Sequence, residues 1–288
     1  MGDGSVAVIG GGPAGSQAAI WLAKLGIPVV VYETSGVMGG LQRRSPFSNS
    51  WVSAVPATTL ARDLADAMDR NVRDLAIPIL QSEVVAICRS CVGFTIETQD
   101  SRSEHSRVLI ATGTRPRRSG QENDINVFAG LAAAGNYLGT GRRIAILGGG
   151  DAAFEAFQVL SDRGNDCSIF SRSVRARSEF RAAVPVSAVH VGRFVVRDAQ
   201  VVGDDIAHDF DVAFILHGWE PSLPVLRDID FERDDHGLIV TDQRGKTTAR
   251  GVFAAGDVVS GIHPCVSTAL GTAVQAAKCI EAELARIR

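Results

Sequence analysis

The chain is short of cysteine, has no excess of basic charge and contains no long apolar run. Its five cysteines (Cys88, Cys91, Cys167, Cys265 and Cys279) are an odd number scattered over 288 residues. That excludes the even, closely spaced framework of a small disulfide-stapled secreted domain. Lys and Arg total 29 against 32 Asp and Glu, for a formal net charge of -3. Without a basic excess, neither nucleic acid nor an anionic membrane surface is expected as a partner. No apolar run reaches the roughly 18 residues of a membrane span. The N-terminus, Met1-Gly2-Asp3-Gly4-Ser5, lacks a basic segment before an apolar one, so no secretory signal is expected and the chain reads as cytoplasmic. Low-complexity sequence is absent too. With 45% hydrophobic and 21% charged residues, the composition is that of a globular protein and excludes a disordered chain, a collagen-like repeat and a coiled coil. The length suggests two domains, and no metal site is expected.

Glycine is plentiful. There are 30, where average usage would give roughly 20, and they cluster. Val6–Ile9 is a β-branched run ending in Gly10-Gly11-Gly12-Pro13-Ala14-Gly15, followed by a helical pattern that Gly26 closes. Ile27–Glu33 then reads as a buried parallel strand. The pattern returns at Arg143–Leu147, Gly148-Gly149-Gly150-Asp151-Ala152-Ala153, a helix to Asp162, and a strand at Cys167–Phe170. Two βαβ units are predicted. Helical spacing covers Leu60–Asp74. Strands are predicted at Glu83–Ile87 and Phe94–Thr98 as a hairpin, and at Arg107–Ala111, Arg193–Val196, Val212–Leu216 and Leu238–Thr241. Gly251–Asp257 reads as a strand ending on an acid, and Val266–Ala285 as an amphipathic helix.

In Gly10-x-Gly12-x-x-Gly15 the first glycine permits the tight turn, the second lets backbone approach a pyrophosphate, and the third lets helix and strand pack closely. The helix N-terminus offers free N–H groups and a partial positive charge. Glu33 ends the next strand, where a carboxylate can accept from ribose hydroxyls. The second turn, Gly148-x-Gly150-x-x-Ala153, has no acid at the equivalent place. Ser171-Arg172-Ser173 stands there instead, with Arg175, Arg177 and Arg181 beyond. Arginines suit a 2′-phosphate, so NADP is favoured over NAD. Two dinucleotide turns in one chain imply a flavin dinucleotide beside a nicotinamide donor.

These segments, with Gly39-Gly40-Leu41-Gln42, Ala111-Thr112-Gly113 and Gly251–Asp257 in this order, resemble the low-molecular-weight thioredoxin reductases and their flavoprotein relatives. The resemblance implies an α/β fold of two Rossmann-like dinucleotide-binding domains, the second inserted in the first. FAD would occupy residues 1–117 plus 245–288 and NADP residues 118–244. It places Gly10, Gly12, Pro13, Ala14 and Gly15 on the FAD pyrophosphate and Glu33 on the adenosine ribose. Gly40 and Gln42 would lie along the flavin side, Thr112 and Gly113 over the cofactor, and Gly256 and Asp257 by the ribityl–phosphate region. Val266 and Ser267 would open the helix aimed at the flavin ring. Gly148, Gly150, Asp151, Ala153, Arg172, Arg177 and Arg181 would hold NADP. A homodimer is implied by the resemblance alone.

One departure limits the function. Thioredoxin reductases carry a Cys-x-x-Cys shortly before the second glycine turn, and here the corresponding segment is Leu131-Ala132-Ala133-Ala134. No dithiol can relay electrons there. The chain's own Cys88-Arg89-Ser90-Cys91 falls in the predicted hairpin. Cys265, His263 and His217 are the candidates for chemistry near the cofactors, Ser50 falls near the flavin in relatives, and Trp51 and Trp219 are read as core aromatics. The expected activity is FAD-dependent electron transfer from NADPH to a small-molecule or small redox-protein acceptor. The alternatives are disulfide chemistry through Cys265 or the Cys88/Cys91 pair, a ferredoxin- or flavodoxin-NADP reductase, and a low-turnover flavin-binding sensor or docking protein.

Overall fold

The computed structural model describes residues 4–117, 120, 126–203 and 206–286. It divides into two compact units, residues 1–115 with 220–288, and residues 116–219. The elements run β1 (Val6–Ile9), α1 (Pro13–Lys24), β2 (Val29–Glu33), α2 (Leu41–Arg44), α3 (Ala61–Asp74), β3 (Ile79–Gln81), β4 (Val84–Ser90), β5 (Gly93–Thr98), β6 (Arg102–His105), β7 (Arg107–Ile110) and β8 (Thr114–Pro116). In the second unit come β9 (Val127–Ala129), α4 (Leu131–Asn136), β10 (Arg143–Leu147), α5 (Asp151–Asp162), β11 (Asp166–Ser171), α6 (Ser178–Ala182), β12 (Val189–Val191), β13 (Val195–Arg197), β14 (Gln200–Val202), β15 (Ala207–Asp209) and β16 (Val212–Ile215). The chain returns through β17 (Trp219–Pro221) to β18 (Val225–Arg227), β19 (Val252–Ala254) and α7 (Val266–Ala285).

The first unit is built on a parallel sheet in the order β19-β7-β1-β2-β3, with Val6 beside Val29 and Arg107. Side chains alternate across a strand, and β1 and β2 divide between two cores accordingly. Val6, Val8, Val29 and Val31 pack under α1 and α7. Ala7, Ile9, Val30 and Tyr32 face Ile87, Phe94 and Ile96 of the antiparallel strands β4–β6. Small residues keep the helix layer close to the sheet: Ala18, Ala19, Ala273, Ala276 and Ala277 are all fully buried. Pro13 starts α1 at a position where its missing N–H costs no helical bond, and Gly26 ends it with φ +72. Chain order reverses at β1, so the crevice of this open sheet lies beyond its carboxyl end.

The second unit repeats the plan, with parallel strands ordered β12-β11-β10-β16-β9 and β10 at the reversal. An antiparallel trio, β13–β15, adds Val196 and Val201 to the core formed with Leu147 and Phe170. Among the described residues, no helix is long and apolar enough to cross a membrane, and no group of three or more potential metal ligands occurs.

Three expectations change. The chain returns to the first unit at Glu220 rather than at residue 245, because β18 pairs in parallel with β4 and Ile229, Phe231 and Ile239 are buried in the first unit's core. Leu238–Thr241 forms no ladder strand. Ile239 makes isolated bridges to Arg233 and Val259 while its side chain anchors the loop. The strand expected at Arg193–Val196 begins at Val195, since the Gly192 N–H is bonded to the Ser171 carbonyl (2.9 Å) and the chain bends there.

Candidate functional site

In the first glycine turn, Gly10 has φ +102, and a methyl group there would lie 2.5 Å from the Ala111 carbonyl oxygen. At Gly15 it would lie 1.8 Å from the Gly10 carbonyl oxygen. Both glycines are demanded by the fold. Gly12, the N-cap of α1, is different, since a methyl there would meet nothing within 4 Å. The free N–H groups of the helix start therefore open onto accessible space with no acidic side chain in the first turn, the arrangement that binds an anion.

Four other segments meet at this helix start, with α2 and the start of α7 following from them. Gly39 N–H donates to the Gly11 carbonyl (2.7 Å), and Gly40 (φ +51) abuts the Gly12 Cα. Glu33 Oε2 accepts from Gly11 N–H (2.8 Å) and its Oε1 from Ser35 N–H (3.0 Å), so one carboxylate ties the β2 end to the turn. Thr112 lies beside Gly10, and a methyl on Gly256 (φ +78) would touch the Ala14 Cβ at 2.8 Å. The Gly256 N–H is held by Thr272 Oγ1 of α7 (3.0 Å). Gln42 Oε1 accepts from Asn49 Nδ2 (2.8 Å). At the start of α7, Val266 is buried against Val52 and Met68, whereas Ser267 is exposed.

Two buried side-chain oxygens here have no hydrogen-bond partner among the described residues: Thr112 Oγ1 and Asp257 Oδ1. An unmet buried polar atom costs about 1–3 kcal/mol, so such atoms mark a place for a polar ligand. Burial raises the Asp257 carboxyl above the usual range, and His263 partly offsets the shift. A dinucleotide fits this cradle. Its pyrophosphate would meet the N–H groups of Gly12, Ala14 and Gly15, its ribose Glu33, and its polar chain Thr112 and Asp257.

All five cysteines are free thiols. Cys265 is the N-cap of α7, half-buried, with Sγ 3.4 Å from Thr268 Oγ1. His263 beside it is exposed and its carbonyl accepts from Thr268 Oγ1 (2.6 Å). Cys88 sits on β4 opposite Thr95, and Cys91 is exposed in the turn that follows. Leu131–Ala134 opens α4, with Ala134 fully buried. Trp51 is 82% exposed and Trp219 44% exposed, so neither is the core aromatic expected. Trp51 sits in a connecting segment, and Trp219 opens the short strand β17.

The second glycine turn repeats the logic. A methyl at Gly148 would lie 2.5 Å from the Leu216 carbonyl oxygen, and one at Gly149 2.0 Å from that of Ser173, while Gly150 faces nothing within 4 Å. Ala153 is buried where the third glycine of the first turn packs. The N–H groups of Arg175 and Ala176 donate to the Gly149 carbonyl (2.6 and 3.0 Å), and Ser171 Oγ donates to the Ser173 carbonyl (2.7 Å). The arginine loop is thereby folded down onto the glycine turn. Between them opens a pocket of about 760 Å³ lined by Gly148, Gly149, Arg172 and Arg175, with Arg117, Arg193 and His217 at its walls. Among the described residues that line it, none is acidic.

The expected arginines divide. Arg172 lines the pocket, and Arg177 and Arg181 do not. Arg177 is engaged with Asp151 at the first turn of α5: its Nε and its backbone N–H each lie 2.8 Å from the carboxylate. The backbone N–H and the guanidinium hold the Asp151 carboxyl below the usual range against a small cost of burial. Asp151 therefore has a protein partner where a cofactor contact was expected. Arg117 and Arg193 were not anticipated. Their only signal in the sequence is a basic residue that opens a predicted strand, for Arg193, or follows the Ala-Thr-Gly segment by four positions, for Arg117.

Comparison with known proteins agrees with this architecture. The model of the pyridine nucleotide-disulphide oxidoreductase family matches residues 4–278. A thioredoxin reductase of Neurospora crassa is 26% identical over 94% of this chain and 91% of its own. A ferredoxin–NADP reductase of Streptococcus sanguinis is 24% identical, covering 93% of this chain and 90% of its own. The crystal structure of Lactococcus lactis thioredoxin reductase in its FR conformation superposes with a TM-score of 0.84 at 24% identity, over 98% of this chain and 99% of that one. The chain therefore belongs to the pyridine nucleotide-disulphide oxidoreductase family, as a thioredoxin reductase-like, FAD-dependent NAD(P)H oxidoreductase.

Proposed function

We propose that the first unit holds FAD, the second NADPH, and that electrons pass from NADPH through the flavin to an acceptor without a Cys-x-x-Cys relay. The observation that carries this reading is the pair of open glycine turns. Gly12 and Gly150 each cap the start of a helix, and a methyl on either would meet no described neighbour within 4 Å, one beside an acid-ended strand and the other beside an arginine loop. The flavin, when bound, takes a hydride from the nicotinamide and releases electrons to the acceptor. The chain's own part is binding and orientation. Gly12, Ala14 and Gly15 present N–H groups of the helix start to the pyrophosphate, Gly10 makes the turn beneath them, and Pro13 fixes the first helical residue. Glu33 accepts from the ribose, and Thr112 and Asp257 meet the polar chain. Gly40, Gln42, Gly113 and Gly256 shape the walls. Val266 and Ser267 set the start of α7 so that its partial positive charge can favour an electron-rich ring.

Leu131–Ala134 holds no thiol, so the acceptor would take electrons from the flavin directly. A small iron–sulfur protein of the ferredoxin class or a small organic molecule would suit. The similarity to a ferredoxin–NADP reductase supports the first. His217 at the pocket wall and His263 and Cys265 at the start of α7 are the candidate side chains for assisting the transfer. A cytoplasmic homodimer completes the reading, to be checked by light scattering.

Anaerobic stopped-flow mixing tests it. NADPH should bleach the flavin rapidly and NADH more slowly. Failure of both to bleach it sinks the oxidoreductase reading, and faster reduction by NADH sinks the NADP assignment. Reoxidation by disulfides that vanishes in Cys265→Ser or in Cys88→Ser/Cys91→Ser would replace the direct transfer with a thiol route.

A further inference from the structure

The arginine loop after β11 is not the whole of the basic surface in the second unit. Arg193 follows β12, a different strand, and lines the same pocket as Arg172 and Arg175. Its position is fixed on both sides. Gly192 N–H donates to the Ser171 carbonyl (2.9 Å), which sets the chain directly beside the root of the arginine loop. Phe194 packs edge-on against Phe170 with ring centroids 5.2 Å apart, and Gly203 stands where any side chain would strike the Phe194 ring at 2.7 Å. Arg193 is thus held between two anchored neighbours.

The charges at the pocket are free to act. Arg172, Arg175 and Arg193 are all exposed, and none forms an ion pair with a described residue. Arg177 spends its guanidinium on Asp151 and lies over the Phe180 ring at 5.0 Å. Three of the four arginines lining this acid-free pocket follow two neighbouring strands, and they are more than a ribose diol needs. They match a phosphate monoester, whose oxygens accept from several forked donors at once.

We infer that Arg193 is a specificity-determining residue for the 2′-phosphate of the nicotinamide dinucleotide, acting with Arg172 and Arg175. In this arrangement Arg177 instead positions the loop through Asp151. This rests on the NADP reading above and assigns which side chains carry it.

The experiment is titration calorimetry of the FAD-loaded protein with adenosine 2′,5′-bisphosphate and with adenosine 5′-monophosphate, which differ only in the 2′-phosphate. Wild type should prefer the bisphosphate. Arg193→Gln should lose about tenfold in affinity for the bisphosphate, the scale of one charge-assisted hydrogen bond. It should keep its affinity for the monophosphate, which shows the pocket intact. Arg62→Gln, at an exposed arginine on α3 of the first unit, should change neither. If Arg193→Gln keeps the wild-type preference, Arg193 has no such role while the NADP reading stands. If wild type does not distinguish the two nucleotides, the NADP reading fails and this inference falls with it.

Discussion

Gly12 and Gly15 stand three residues apart in one turn, yet the structure assigns them opposite duties, and alanine at each separates the two. At Gly15 the new methyl would sit 1.8 Å from a backbone carbonyl, against an ordinary contact of 3.4 Å or more. A carbonyl in a strand-to-helix turn cannot rotate aside as a side chain can, so α1 must move by more than an ångström. That helix carries Ala18, Ala19 and Leu22, all fully buried under the sheet. Overpacking of this kind costs about 1–3 kcal/mol, and the upper end applies because the obstacle is backbone. For a unit of this size, about 3 kcal/mol lowers Tm by roughly 6–12 °C. At Gly12 the backbone has φ -67 and ψ -174, which alanine adopts without strain, and the methyl meets nothing. Gly12→Ala apoprotein should therefore melt at or slightly above the wild-type temperature, since alanine restricts the unfolded chain. Its deficit appears with cofactor. Added FAD at 100 times its Kd stabilises wild type by about 2.7 kcal/mol, and Gly12→Ala should lose most of that increment because the methyl occupies the pyrophosphate's approach. Differential scanning calorimetry with and without FAD reads both effects. A Gly12→Ala protein with the full FAD-dependent rise refutes the assignment of that space to the cofactor. An unchanged Tm in Gly15→Ala apoprotein refutes the steric argument.

Other outcomes follow from the same geometry. His105 is buried, its Nε2 2.8 Å from the Tyr32 hydroxyl and its Nδ1 3.2 Å from Ser5 Oγ. Burial lowers its pKa below the ordinary 6.5, more than nearby Glu104 restores, and the chain's N-terminal charge adds to the lowering. A histidine held neutral stabilises the fold fully above the unfolded pKa and loses that contribution as pH falls through the folded value. Tm should therefore decline between about pH 7.5 and about pH 5.5, more steeply in wild type than in His105→Gln. Glu283 on α7 pairs with Arg107 (3.1 Å) and Lys246 (2.7 Å), with Arg107 and Glu283 side chains only 12% and 18% exposed. Glu283→Ala leaves Arg107 nearly buried without its carboxylate, and urea unfolding should show a loss of about 3 kcal/mol. Asp257→Ala removes a buried unpaired oxygen, so the apoprotein should gain about 1 kcal/mol while FAD affinity, read by flavin fluorescence, falls. Cys88→Ser with Cys91→Ser should leave NADPH-driven flavin bleaching unchanged.

Much of this was legible in the residues because the signals are local. A βαβ unit announces itself through a β-branched run, a glycine turn and a helix within some thirty residues, and both units stand where the pattern put them. α7 spans the predicted Val266–Ala285. Gly10, Gly15 and Gly148 are glycines for the steric reasons their spacing implied. That Leu131–Ala134 holds no cysteine is likewise a statement about residue identity alone. Long-range pairing was not visible. The return at Glu220 depends on β18 joining β4, a partner far away in sequence. Leu238–Thr241 has the composition of a strand, but Ile239 finds burial without a ladder.

The arginines show the division most clearly. The sequence by itself determined that Ser171-Arg172-Ser173, with no acid, follows the second unit's second strand, which is the ground for the proposed NADP preference. Only the tertiary structure decided which guanidinium groups face the pocket. Arg177 was drawn off by Asp151, which the start of α5 brings within 2.8 Å, and Arg193 was brought in by β12, held beside Ser171 through a backbone hydrogen bond. Side-chain identity fixes the charge a residue can offer. Where that charge is spent depends on which opposite charge the folded chain places nearest, and contacts between distant segments set that distance.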